Sequence, residues 1–436
     1  MWRALAISLL CASPLEAQVF YTLKGHGGPI MDIAVSQTGQ VATASFDNSV
    51  GLWQNTVPQW LEGHRAAVNT VQFVSDTVLA SGGDDFKLYL WSLETRRGQE
   101  AAAHTAKITD IATTPQSDLI ASSSWDSTIK LTVLGPDDPQ ELHGKTLSGH
   151  KSGVNAVAFS PGDQTLYSAS VDGTIRKWRY TQAQVTSTVI IKHGFGVNEL
   201  IVNDRDGWLA YGATDGGTRI VDLSTGKQIA DFTLERRPIL AMAYDPQGRT
   251  LAVGDGQGFI MLVDTEKMRI THDFQASQNG PIWALAFSRG GQNLHAGGIE
   301  DIVYSWPVDT ITQHGPMAGT PRSFLKKPAT MTNGERQFKR KCSICHALGQ
   351  SSARKAGPSL FGLFGRKAGT MHDYAYSATL DGSDIIWSAQ TIDALFDLGP
   401  DHYIPGTKMP MQRIAKQSDR DDLIDYLRAH TAHGKE

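Results

Sequence analysis

The sequence predicts two domains: an all-β first part built from seven like units, and a smaller helical second part. Three observations predict it. Between Gly25 and Trp306 a stretch of about thirty residues recurs seven times. Within each copy apolar and polar residues alternate with a period of two, the signature of half-buried strands rather than helix. After Trp306 the repetition stops, a Pro- and Gly-containing stretch follows, and a helical pattern then leads into Cys342, Cys345 and His346. A length of 436 residues suits two domains with a core each. The net charge of −4 lacks the strongly basic footprint of a nucleic-acid binder.

Residues 1–17 come first. Met1-Trp2-Arg3 carries a positive charge, Ala4 to Cys11 is apolar, and Ser13-Pro14 interrupts the run before Ala17. This is the layout of a bacterial secretory signal, with cleavage expected after Ala17. The apolar run is too short to cross a bilayer, and nothing later is apolar enough. The expected location is therefore the periplasm, with no membrane span.

Residues 18–306 hold the repeats, Gly25–Trp53, Gly63–Trp91, Ala103–Val133, Gly149–Trp178, Lys192–Leu223, Arg236–Asp264 and Asn279–Trp306. The fourth reads GHKSGVNAVAFSPGDQTLYSASVDGTIRKW, three alternating strands separated by Ser160-Pro161-Gly162-Asp163 and Asp172-Gly173. These copies resemble WD40 repeats, which implies a seven-bladed β-propeller. Each blade's outer strand then comes from the segment between copies. The leading stretch Gln18–Leu23 has no blade of its own and is expected on the last blade, closing the ring.

The same resemblance gives His26, His64, His104 and His150 structural partners: Asp47, Asp85, Asp126 and Asp172, and a strand Ser such as Ser45 or Ser170. That Ser is expected to bond Trp53 or Trp178 in turn. The third copy has Thr132 where Trp is expected, and copies six and seven lack the set, so apolar packing is expected there. His143, His193, His272 and His295 are left over, and a metal cofactor held in the ring would need one of them. Nothing in the sequence clusters them.

Residues 307–332 read as a semi-extended linker, with Pro307, Gly315, Pro316, Gly319, Pro321 and Pro328. In residues 333–436, Asn333-Gly334-Glu335 opens a helix that runs into Cys342-Ser343-Ile344-Cys345-His346, the C-x-x-C-H pattern of covalent haem attachment. With Cys11 in the leader, only Cys342 and Cys345 remain. A disulfide or a thioredoxin-like pair would also use two such thiols, whereas zinc would want a second Cys pair. His346, directly after Cys345, favours haem. Cysteines three apart share a helix face and can reach two vinyl groups of one porphyrin.

From Gly334 to about Ala429 the sequence is similar to class I cytochromes c, which implies an all-α fold and one covalent haem c. Gly334, Phe338 and Tyr426 match the crossing of the first and last helices, the last expected over Asp419–His430. Gly357-Pro358-Ser359-Leu360 matches the loop whose proline carbonyl orients the proximal histidine, so Pro358 is expected to bond His346. Tyr403-Ile404-Pro405-Gly406-Thr407-Lys408-Met409 matches the loop of the sixth ligand. The resemblance thus makes His346 and Met409 the iron ligands. It leaves Met411 a bystander and Met371 a packing residue. It assigns Arg366, Tyr376 and Trp387 to one haem propionate, and Ser377 and Thr407 to the other. Phe396 and Leu380 depart from the family's polar residues beside the methionine. Arg336, Lys339, Arg340, Lys341, Arg354, Lys355, Lys367, Lys408, Arg413 and Lys416 lie mostly around the two ligand segments, and the family implies that such a basic rim docks a redox partner.

The reading is an exported one-electron carrier with a filled iron and no substrate site, whose propeller docks a second protein. Two rivals stay open: an oxidoreductase working in the propeller channel and passing electrons to the haem, and a redox sensor or assembly factor.

Overall fold

The computed structural model describes residues 19–116, 118–134, 144–160, 164–181, 184–236, 238–245, 247–316, 330–350, 354–374, 376–377 and 379–432. The leader, His143 and half of the linker lie outside them. Alternating strands have one apolar face each, and the chain buries both faces by stacking sheets radially. Seven four-stranded antiparallel sheets result. The first blade is Ile30–Val35, Val41–Ser45, Ser49–Gln54 and Val57–Glu62. The expected closure is found: Tyr21–Lys24 pairs with Ile302–Pro307, Tyr21 opposite Ser305 and Leu23 opposite Val303. Strand one of the chain is thus strand four of the last blade, and the ring has no open seam.

All seven innermost strands skip one residue near their start, as between Ile30 and Asp32 or Ile108 and Asp110. Such a bulge re-aims side chains, and here they staple the first six blades, each to the next. Asn69 donates to Ile108 O at 2.9 Å, Thr109 to Val154 O at 2.6 Å, Asn155 to Val197 O at 3.0 Å and Asn198 to Ile239 O at 2.7 Å. Asp32 accepts from Val71 N, and Asp110 from Val157 N. These carboxyls line the channel with Glu199. Burial pushes Asp32 up to about 6 and Asp110 up to about 7, against the pull of those amides. Burial and the two neighbours push Glu199 well above the carboxylate range.

The polar network expected of the first four blades is present with a different bridging residue. Trp53 donates to Thr43 at 2.8 Å, Thr43 bonds His26 Nε2 at 2.7 Å, and His26 Nδ1 donates to Asp47 at 2.9 Å. In the next three blades Ser81, Ser122 and Ser168 take the place of Thr43. Ser45 and Ser170, expected there, instead donate to Gly28 O and Gly153 O and accept from the Asp amide after them. They sit two residues further along the same strand face. Burial alone would raise Asp47, but the charge and hydrogen bond of His26, with Ser49 and Gly27 N, hold it at about 2.

The last three blades correct another expectation. His193, left unassigned by the sequence, pairs with Asp215 at 2.9 Å and with Arg219 at 3.0 Å. Blade six has Arg236 between Asp255 and Asp273, and blade seven has Asn279 and Tyr304 on Glu300. Polar links therefore replace the His set; packing alone does not. In the third blade Thr132 is buried where Trp stands elsewhere.

After Ile302–Pro307 one 3-10 turn, Val308–Gln313, buries Ile311 against the last blades. The second domain then folds from α1 (Asn333–Lys341), α2 (Ala389–Leu398), α3 (Pro400–Tyr403) and α4 (Gln417–His430). Thr332 caps α1, and Ser388 with Thr391 forms a reciprocal capping box on α2. α1 and α4 cross at Gly334, where a Cβ would lie 2.1 Å from Asp422 O. Phe338 and Tyr426 meet beside it at 5.6 Å between ring centres. Among the described residues no helix is long and apolar enough to cross a membrane.

Candidate haem crevice

The first wall of the crevice grows out of the end of α1. Cys342 N still bonds Phe338 O at 2.8 Å, and His346 N bonds Cys342 O at 2.8 Å. This tight turn turns both thiols inward. They are buried and not joined in a disulfide. Burial pushes Cys342 up to about 12 and Cys345 up to about 11, so both are neutral thiols.

His346 is set from behind. Its Nδ1 donates to Pro358 O at 2.7 Å, which leaves Nε2 to face the crevice as an acceptor. A Cβ on Gly357 would lie 2.4 Å from His346 Cε1, so the imidazole has room only because that residue is glycine. Burial lowers the ring's affinity for a proton, which keeps it neutral and able to bind metal.

The opposite wall is the loop after α3. Ile404 N bonds Pro400 O, Thr407 N bonds Ile404 O, and Gly406 takes φ +82°, a left-handed turn that favours glycine. Thr407 Oγ1 accepts from Met409 N at 3.2 Å. Met409, Leu363, Leu380, Ile392, Leu395 and Phe396 supply apolar lining. The space enclosed is about 1320 Å³, mouth included.

Arg366, Tyr376, Ser377, Trp387 and Thr407 all line the same crevice. Ser377 Oγ is buried with no hydrogen-bond partner among the described residues. Arg366 donates to Ser359 O at 2.9 Å, to Phe361 O at 2.5 Å and to Met371 Sδ at 2.9 Å. None of those acceptors is anionic, and burial lowers the guanidinium's proton affinity. An orphaned hydroxyl and a half-buried cation beside an apolar slot suit a flat apolar ring that carries acid groups. The residues present fit haem. Met371 lines a separate surface hollow with His372 and Asp373. Met411 is half exposed, against Gly399.

Several lining residues were not foreseen. Tyr374 donates to Ala356 O at 2.7 Å, and burial pushes it up to about 12. Phe46, Asn48, Ala66, Ala67 and Asp84 reach the crevice from the first two blades. No local pattern marks them, because the contact spans some three hundred residues of chain (Asn48 to Ala356, for one). Of the histidines left for a second haem, the three among the described residues do not converge. His193 is tied into its blade, His272 sits on an outer strand, and His295 is buried alone with Nδ1 unpartnered among the described residues. Burial holds His295 at about 4, neutral. No group of three or more His, Cys, Asp or Glu able to hold a metal occurs among the described residues.

A seven-bladed propeller carrying a helical crevice with two inward thiols and a carbonyl-oriented imidazole defines a class: a β-propeller joined to a covalent haem protein. Comparisons with known proteins agree for both halves. The family profile "WD domain, G-beta repeat" matches residues 17–54, 56–92, 98–132 and 143–179, and the cytochrome c profile matches 331–431. Cytochrome c of Cannabis sativa is 44% identical over 107 residues, 24% of this chain and 94% of that protein. Cytochrome c of Theileria annulata is 44% identical over 95 residues, 22% of this chain and 81% of that protein. The crystal structure of the WD40 β-propeller domain of Doa1 superposes with a TM-score of 0.57 at 21% identity, covering 66% of this chain and 95% of that one.

The chain belongs to the cytochrome c family through its C-terminal domain, with a WD40 propeller in front of it. Its haem is covalently held, its chemistry is electron transfer, and its propeller is a protein-interaction scaffold.

Proposed function

We propose that this protein is an exported carrier of single electrons with one haem c, whose propeller docks a protein partner while a redox partner is met at the basic rim of the crevice. The observation that carries the reading is one apolar crevice with Cys342, Cys345 and a carbonyl-bonded His346 on one wall and Met409 on the other. Cys342 and Cys345 would hold the porphyrin, and His346 and Met409 its iron. Arg366, Tyr376 and Trp387 would hold one propionate, and Ser377 and Thr407 the other. The haem supplies a ferric–ferrous couple, and His/Met ligation favours a high potential.

The chain's own residues do the rest. Pro358 fixes the tautomer of His346, so its Nε2 lone pair points inward whatever the oxidation state. Leu380 and Phe396, with the other apolar side chains of the slot, exclude water. Held by both His346 and Met409, the iron would have no site left open to substrate. The C-x-x-C-H box and the Met1–Ala17 leader support export together, since bacterial haem attachment of this kind follows export. The periplasm is the proposed compartment. A haem count and the absorption spectrum of protein purified from its native host test the reading. One haem per chain is expected; a second haem or a quinone would support the channel oxidoreductase instead.

A further inference from the structure

The crevice has a third wall, and it belongs to the propeller. Phe46 and Asn48 of the first blade and Ala66, Ala67 and Asp84 of the second line the same space as Cys342, Cys345, His346 and Met409. The two domains touch there backbone to backbone: a Cβ on Gly27 would lie 1.2 Å from Arg354 O. Asn48 Nδ2 donates to Ala356 O at 3.4 Å. Arg354 reaches across, its guanidinium 5.0 Å from the ring centre of Trp60 and ion-paired with Glu62. Its Nε is 3.7 Å from the buried carboxylate of Asp47, which His26 keeps ionised. Lys408, next to Met409, lines the crevice too; burial and Arg65 weaken its hold on a proton while the Glu62 charge strengthens it.

The chemistry of this contact matches the partner that the basic rim was expected to meet. Arg354 and Lys408 come from the rim, and Asp47, Glu62 and Asp84 come from the blades. An aromatic, Trp60, receives the cation. We propose that blades one and two form a lid over the mouth of the haem crevice, latched by Arg354, and that a redox protein gains this mouth only when the latch opens. The inference rests on the haem reading of the crevice. Its physical consequence is a carrier whose reactivity depends on ionic strength within one chain, because the Arg354–Glu62 pair is partly exposed and screened by salt. A protein docking on the propeller face that bears Asp47 and Glu62 would compete for the same acids and release the haem domain.

The test uses the full-length, haem-loaded protein, with Arg354→Glu, Glu62→Arg, the double charge swap, and Gly27→Leu as an uncharged wedge. Small-angle scattering at low salt measures the domain arrangement, and reduction by ascorbate measures access to the haem. An exposed ion pair plus a cation–π contact sets the closed-to-open ratio by about threefold to thirtyfold. Each single variant should therefore lengthen the particle and speed reduction within that range, and the double swap should return only part of the way, because it restores the pair with position 62 but sets a carboxylate beside Asp47 and removes the cation over Trp60. Scattering curves and reduction rates that are the same in wild type, Arg354→Glu and Gly27→Leu would overturn the lid. A wild type whose domains are already separated at low salt would overturn it as well. Scattering does not depend on the redox centre, so a latched protein that binds no haem would sink the carrier reading and leave the domain contact standing.

Discussion

Replacing Asp110 by Asn should stabilise the propeller at alkaline pH and do little in acid. Asp110 titrates near 3.8 in an open chain and at about 7 in the channel, because burial outweighs its bonds from Val157 N and Ile111 N. The folded chain therefore holds a proton on this group that the unfolded chain gives up, and stability falls as pH rises from about 4 to 7. Each tenfold shift in the constant is worth about 1.4 kcal/mol, so ionising Asp110 at pH 8 costs the fold about 4 kcal/mol. Asn, with one acceptor oxygen, gives back about 1 kcal/mol for one of the two amide bonds. The net gain should be about 2–3 kcal/mol at pH 8 and within about 1 kcal/mol of zero at pH 4. Guanidinium unfolding followed by circular dichroism of the β-sheet signal, at both pH values, measures it. A variant destabilised at pH 8, or shifted equally at both, would refute the claim that burial raises the proton affinity of Asp110.

Ser168→Ala strands His150 Nε2 and Trp178 Nε1, bonded to that hydroxyl at 2.7 and 2.8 Å. It should cost about 2–4 kcal/mol of propeller stability in the same assay, and a loss under about 1 kcal/mol would mean the chain of bonds is slack. Gly334→Val drives a side chain into Asp422 O and Tyr426. It should destabilise the helical domain, lowering the midpoint of its own unfolding transition while leaving the β-sheet signal intact, and an unchanged midpoint would show that the α1–α4 crossing is not as tight as described.

Much of the fold was legible because repeats announce themselves through period and turn chemistry. The leading strand could be assigned to the last blade by counting: seven copies of three strands need a fourth each, and Tyr21–Lys24 was the spare. The bridging hydroxyl was harder. Thr43 and Ser45 lie on one face of one strand, as Ser168 and Ser170 do, and a period of two cannot choose between them without the register. Arg236 and Glu300 escaped because they replace a His–Asp pair with different chemistry at the same place. In the helical domain the two loops that wall the crevice were readable as local motifs. The lid was not, since Trp60, Glu62 and Arg354 are brought together only by how the domains dock.

The central claim is that a haem in this crevice is held between His346 and Met409. The ferric absorption spectrum of Met409→Ala, beside that of Met411→Ala, tests it most directly. Wild type and Met411→Ala should show a low-spin iron with the weak far-red band of methionine sulfur on ferric iron. Met409→Ala should lose that band and turn high-spin, with a lower potential. A far-red band that survives Met409→Ala, or that disappears in Met411→Ala, would contradict the account.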